Sequence, residues 1–293
     1  MSSYRSSAQE ARIKAGSRLW PRDVGGTYFY YLLVVVALAA FLYYLYTYKQ
    51  LALVYLPSLL LGTLVTLIVS VLSALFATIL GLLGALGRLS SVWIVRWLAT
   101  LYVEVIRGTP LLVQLLLWYF GVGTVLSNAG FNPYDIAFRI MTVLQNNSLV
   151  PTAFNGFFYG IIGLSFNYGA YLTEVFRTGI LSVERGQMEA ALSLGMDTQQ
   201  SLRHIILPQA IRLTIPPFTN NFITLIQDSA FLSVLAVVEL EYVTIGLALP
   251  QLDPNNKFFV FVLGALLYLA LCYPLSLLAL YLERRLSVVH IDV

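Results

Sequence analysis

The sequence predicts an all-α membrane protein with six transmembrane helices, on three observations. Of its 293 residues, 59% are hydrophobic and 11% charged, against about 45–50% apolar and about 25% charged in an average soluble domain. The mean hydropathy is +0.80, so there is more apolar surface than one folded core can hide, and the excess faces lipid. The charged residues also fall in clumps, separated by uncharged stretches long enough to cross a bilayer. The single cysteine, Cys272, lies inside an apolar run, which excludes a secreted disulfide scaffold.

The stretches follow in chain order. Val24 to Tyr48 is the first, and it predicts a span over 28–50 after a polar tail at 1–27. A polar stretch precedes Gly26 and no small-residue cleavage site follows Tyr48, so the run reads as a retained helix rather than a signal peptide. Leu51 to Gly87, Gly108 to Tyr134, Ile140 to Thr173 and Phe258 to Leu282 are likewise uncharged, and Leu213 to Val238 is interrupted only by Asp228. Each reaches or exceeds the roughly 20 residues that carry a helix across the hydrocarbon layer. The membrane domain then extends over 51–286, with a short tail at 287–293.

Lys and Arg set the orientation, because they collect in cytoplasmic loops. With both ends inside, the tail holds Arg5, Arg12, Lys14, Arg18 and Arg22, and Arg88, Arg96 and Arg107 flank the second loop. Arg177, Arg185, Arg203 and Arg212 flank the fourth, and Arg284 and Arg285 follow the last helix. Fourteen of seventeen basic residues thus fall on the inner face, leaving Lys49, Arg139 and Lys257 outside. The acids Asp135, Glu239, Glu241 and Asp253 fall to the outer side, as does a long segment over 127–151.

The inner segment at 184–207 is amphipathic and punctuated. A short helix over Met188 to Leu194 is closed by Gly195, which suits the left-handed position past a helix end. Asp197 or Thr198 then caps a second helix, because their side-chain oxygens accept orphan N–H groups of the first turn. Pro208 kinks that helix or marks its entry into the membrane. Ala190 and Ala191 beside Leu192, Leu194 and Met196 form a small apolar knob. Periodicity alone fits either a connector lying on lipid headgroups or a helix docking in the groove of a cytoplasmic partner.

The spacing Glu189-Ala190-Ala191, three residues, Gly195, nine residues, Ile205-x-Leu207-Pro208 resembles the EAA signature of the membrane subunits of bacterial ABC importers. Three more stretches resemble the polar amino-acid uptake branch of those permeases. They are Arg107-Gly108-Thr109-Pro110-Leu111-Leu112-Val113-Gln114, then Tyr168 to Arg177, and finally Leu207-Pro208-Gln209-Ala210 with Pro216-Pro217 and Asn221-Phe222. The resemblance covers roughly Leu56 to Leu286. It implies a five-helix permease core, here with one added N-terminal helix, and a coupling helix whose surface is Glu189, Ala190, Ala191, Leu194 and Gly195. The chain departs from the family at Gln227-Asp228-Ser229-Ala230, where many members carry a lysine first. Losing that charge favours broad or neutral-to-basic substrates.

Charges inside the apolar regions nominate further sites. Glu104 and Arg107, like Glu174 and Arg177, stand three apart on a helix, where side chains are neighbours and can pair. Such pairs either anchor helix ends at the interface or line an inner mouth that rearranges during transport. Around Asp228, Pro216 and Pro217 forbid regular helix nearby and Asn220, Asn221, Gln227 and Ser229 add polar groups. That pattern predicts a broken helix at membrane depth, the place where transporters build binding sites. Asp228 suits a ligand ammonium, and N–H groups of a helix starting after Ser229 suit a carboxylate. Asp228 capping that same helix is the simpler role, and the two can coexist. Glycines 81, 84 and 87 read as close helix packing.

No phosphate-binding glycine loop, Ser/His/Asp set or metal-ligand cluster accompanies His204 or His290. The chain therefore reads as no enzyme and as carrying no cofactor, with ATP and Mg used by a separate ATPase subunit. The resemblance implies two ATPase subunits, a second permease subunit, an extracytoplasmic solute-binding protein and an amino-acid substrate. It places the chain in the bacterial cytoplasmic (inner) membrane, in contact with the lipid bilayer, with no nucleic-acid partner expected. An ion-coupled transporter or channel is the alternative, but its charges would cluster at mid-membrane.

Overall fold

The computed structural model describes residues 24–143 and 152–287, which form helices and turns with no strand. The predicted tail at 1–27, the outer segment beyond residue 143 and the last tail, with His290, lie partly or wholly outside these residues. We number the helices α1 Val24–Thr47, α2 Lys49–Leu89, α3 Trp93–Arg107, α4 Leu111–Asn128, α5 Pro133–Val143, α6 Phe154–Leu181, α7 Arg185–Ser193, α8 Thr198–Leu235, α9 Leu240–Ala248 and α10 Pro254–Ser287. The all-α membrane class holds. Of the described residues, those up to Leu53 form one compact unit and those from Val54 a second.

In the first unit, Tyr30 to Val36 are all exposed. A helix apolar on every side suits lipid.

In the described residues, four helices are long and apolar enough to cross a membrane: Tyr30–Thr47, Lys49–Leu89, Leu111–Asn128 and Pro254–Leu286. A fifth is gained if α8 and α9, bent by 57° across their break, are one span. Within the stretch from Ile140 to Thr173, the described residues hold the end of α5, Pro133–Val143, and most of α6, Phe154–Leu181, which begins after a turn at Thr152 and Ala153. α6 passes through Glu174 and Arg177, whose charges are half-buried and paired with each other at 2.8 Å. The second inner loop is also not a loop. It holds α3, an amphipathic helix whose Val103 is buried while Trp93, Ile94, Trp97 and Leu98 are exposed.

α6 is the centre of the second unit and packs against α3, α4 and α8, while α8 also packs on α10. Its core unites Val69 and Ala77 of α2, Leu115 of α4, Leu164 and Leu172 of α6, and Leu225 and Leu232 of α8. Close packing requires small residues here. A Cβ on Gly84 of α2 would stand 2.1 Å from Thr173 Oγ1 of α6.

The proline pair does not break α8. Pro216 and Pro217 lie inside continuous helix up to Asp228, which then tightens into a 3₁₀ segment at Ser229–Leu235. Membrane helices tolerate proline where neighbours and Ser/Thr side chains make up the lost bonds. Pro208 likewise sits inside the helix, just after a π turn at Leu202–Ile206. The break falls later, at Ala236, whose φ of 57° is left-handed.

Glu239 holds that break. Expected on the outer side, it is fully buried and caps α9. Its carboxylate accepts from Tyr242 N at 2.7 Å, Glu241 N at 2.8 Å, Tyr268 Oη at 3.0 Å and Thr66 Oγ1 at 3.3 Å. Thr66 in turn accepts from Leu240 N at 3.1 Å. One carboxylate thus ties α2, α9 and α10 together.

Candidate functional site

A polar cavity of about 470 Å³ opens where the α3–α4 junction meets α6 and α8. Six of its side chains carry its chemistry: Arg107, Asn167, Tyr168, Tyr171, Asn221 and Asp228. The α3–α4 junction forms because Pro110 is extended, with φ −63° and ψ 138°, and cannot continue a helix. The turn leaves carbonyls without helical donors, and buried Gln114 folds back to supply them. Its Nε2 donates toward Ile106 O at 2.7 Å, Thr109 Oγ1 at 2.9 Å and Thr109 O at 3.0 Å, and its Oε1 accepts from Asn167 Nδ2 at 3.2 Å. The Arg107-to-Gln114 segment is therefore a self-bracing turn that presents Arg107 to the cavity.

On α8, Asn221 and Asp228 are seven residues apart, two turns, so both face the cavity. Tyr168 of α6 donates its hydroxyl to Asp228 Oδ2 at 2.7 Å. The other expected ligand groups do not join them. Ser229 is fully buried and donates its hydroxyl to Ile226 O at 2.7 Å. Gln227 points to a second pocket with Glu241, Thr244 and Cys272. Asn220 is exposed and absent from the cavity lining. Asp228 makes no side-chain cap, and no new helix begins after Ser229, because the 3₁₀ turn continues α8 and uses its N–H groups. The expected carboxylate site at a helix N-terminus is thus absent there. A cavity holding a guanidinium and a carboxylate can receive a small zwitterion.

The charges beside the cavity form a network rather than two separate pairs. Glu174 is its hub: it accepts from Arg88 of α2 through Oε1 and from Arg177 Nε at 2.8 Å through Oε2, and it lies 3.9 Å from Arg107 Nη1. Glu104 does not pair with Arg107, since its contact is with Arg88 at 3.9 Å and its side chain is 68% exposed. α3 turns at Gly108, so Arg107 reaches α6 instead. Arg107 also stands over the Tyr171 ring, 5.3 Å from its centroid. The periodicity of α3 alone could not reveal contacts made between helices.

The inner segment folds as a nine-residue helix, α7, followed by Gly195 at φ +84°. Asp197 caps α8 through a capping box with Gln200, accepting from Gln200 N at 2.7 Å. Glu189, Ala190 and Leu194 are exposed, Leu194 at 84%. Ala191 is buried and does not belong to the outward knob. Of the six, Asn167, Tyr168 and Tyr171 carry no site role in the sequence reading, although Tyr168 and Tyr171 stand in the Tyr168-to-Arg177 stretch, and Thr224 also lines the cavity. Their signal is polar groups at positions 167, 168 and 171, which share one helical face.

Residues 77–288 match the family described as binding-protein-dependent transport system inner membrane component. Among similar proteins, the probable glutamine ABC transporter permease protein GlnM of Bacillus subtilis is 38% identical over 66% of this chain and 76% of its own length. The L-cystine transport system permease protein TcyB of the same organism is 36% identical over 68% of this chain and 74% of its own. A crystal structure of an amino acid ABC transporter with histidines aligns at a TM-score of 0.66 and 33% identity, covering 80% of this chain and 97% of that one. The MetNI methionine ABC transporter, at 15% identity and a TM-score of 0.53, shares the fold. On this sequence and structural likeness, the chain belongs to the family of binding-protein-dependent transport system inner membrane components.

Proposed function

We propose that this chain is the membrane-spanning permease subunit of an ATP-driven ABC importer for amino acids, inserted with six spans and both termini inside. Arg107 and Asp228 in one cavity carry the reading. An amino acid brings an ammonium, which Asp228 attracts while Tyr168 holds its carboxylate in place, and a carboxylate, which suits Arg107. The similar proteins named for glutamine and cystine, and the amino acid ABC transporter structure with histidines, support that substrate class.

ATPase subunits dock at Glu189, Ala190, Leu194 and Gly195, and ATP binding draws the two coupling helices of a permease pair together. The cavity then opens outward toward a solute-binding protein. On nucleotide release it opens inward, an alternating-access cycle driven by contacts that differ between the two states. With both termini inside, fourteen of the seventeen basic residues fall on the cytoplasmic side, which supports this orientation.

The test is uptake into vesicles that hold the whole complex. Asp228→Asn should abolish uptake while protein level and ATPase association stay unchanged. Uptake by the variant at the wild-type rate would overturn the assignment of Asp228.

A further inference from the structure

Arg107 belongs to two structures at once. It lines the cavity with Asp228, and its Nη1 stands 3.9 Å from Oε1 of the hub carboxylate Glu174. The two ends of that contact are held unequally. Glu174 is 19% exposed and is already engaged by Arg88 on the same oxygen and by Arg177 at 2.8 Å on the other. It does not depend on Arg107. Arg107 is 42% exposed, its ion-pair partner among the described residues is at the long end of contact distance, and its guanidinium also stands over the Tyr171 ring. A guanidinium has five N–H donors in a planar fork that matches a carboxylate in bidentate fashion. Arg107 is thus the loosest member of the network and the one the cavity can reach.

We propose that Arg107 is a specificity-determining residue shared by substrate and network, in which the α-carboxylate of a bound amino acid competes with Glu174 for its guanidinium. The inference rests on the amino-acid reading of the cavity and adds a link that the reading does not contain. When a ligand carboxylate takes Arg107, Glu174 is left to Arg88 and Arg177, and the tie between α2 and α6 strengthens. By reciprocity, the ligand weakens the Glu174–Arg107 contact by the same factor by which that contact weakens the ligand, so a firmer grip of Glu174 on Arg107 lowers ligand affinity. Substrate occupancy is in this way linked to the packing of α2 on α6.

The link gives variants of opposite sign. Glu174→Gln releases Arg107 and should tighten binding of a free amino acid by about fivefold, the upper range for a partly exposed ion pair. Arg177→Gln removes the 2.8 Å partner of Glu174, so Glu174 holds Arg107 harder and binding weakens. Arg107→Gln removes the preference for a carboxylate altogether. The full chain in nanodiscs is titrated with L-glutamine and L-histidine and with their α-carboxamides, which keep the ammonium and lose the negative charge. The quantity read is the Kd ratio of amide to acid. We expect it to rise in Glu174→Gln, fall in Arg177→Gln and approach one in Arg107→Gln. Binding by the wild type with a ratio that these variants leave unchanged overturns the inference while the transport reading stands. Failure of the wild type to bind either amino acid overturns both. If Glu174→Gln does not fold, Arg177→Gln and Arg107→Gln decide the question.

Discussion

Glu239→Ala would remove the acceptor for four donors at the α8–α9 break. Two are backbone N–H groups, Glu241 N and Tyr242 N, and two are the hydroxyls of Tyr268 and Thr66. Losing an N-cap costs up to about 2 kcal/mol, and each hydroxyl bond to the carboxylate adds about 1 kcal/mol after allowing for reorientation. The expected loss is therefore about 4 kcal/mol. Glu239→Gln keeps one oxygen and strands at least one backbone donor, for about 1–2 kcal/mol. Thermal unfolding in detergent, followed by tryptophan fluorescence, reads the difference. At about 2–4 °C per kcal/mol for a unit of this size, the Ala variant should melt roughly ten degrees below wild type and the Gln variant a few degrees below. Tyr268→Phe should cost stability in the wild type and little in the Ala background, because its partner is already gone. An Ala variant that melts within a degree or two of wild type, or a Gln variant as damaged as Ala, refutes the claim that acceptor capacity at Glu239 secures the break.

Two further perturbations probe packing and coupling. Gly84→Ala forces a Cβ onto Thr173 Oγ1 at 2.1 Å and should cost about 1–3 kcal/mol, with partial rescue by Thr173→Ala in the same unfolding assay. Gly195→Ala asks an L-residue to hold φ near +84°, at about 1–2 kcal/mol of local strain. That should speed limited proteolysis within 185–200 and reduce ATPase copurification while the melting temperature of the membrane core barely moves.

The sequence made the inner segment legible because its signals are local. Gly195 past a helix end and Asp197 at the start of the next are set by backbone geometry within a few residues, and both took their expected positions. Asp228 was legible as a polar residue inside an apolar run. Its setting was not, because the nearby prolines are tolerated by tertiary packing, and the break moved to Ala236. Glu239 reads as a loop acid because nothing local distinguishes it. Its donors Thr66 and Tyr268 lie 173 and 29 residues away. Arg107 looked like a partner for Glu104 because the spacing allowed it, yet the turn at Gly108 sends it across to Glu174.

These misreadings share a physical cause that bears on transport. A path for a zwitterion needs polar groups at membrane depth, and each such group lowers the hydropathy by which a span is recognised. α6 supplies Asn167, Tyr168 and Tyr171 to the cavity and Glu174 to the ion-pair hub, and it is not among the helices that pass on length and apolarity. α8 supplies Asn221 and Asp228, and it passes only in combination with α9 across the bend. α1, exposed on its lipid-suited sides, passes easily. The helices hardest to count are those that build the cavity. Their polar residues are affordable because half of α6 is buried against neighbouring helices, where Gln114, Tyr168 and the arginines satisfy them. Departure from apolarity, when the polar groups converge on one cavity, therefore marks a cavity-lining helix rather than a failed span, and under the proposed function that cavity is the transport path.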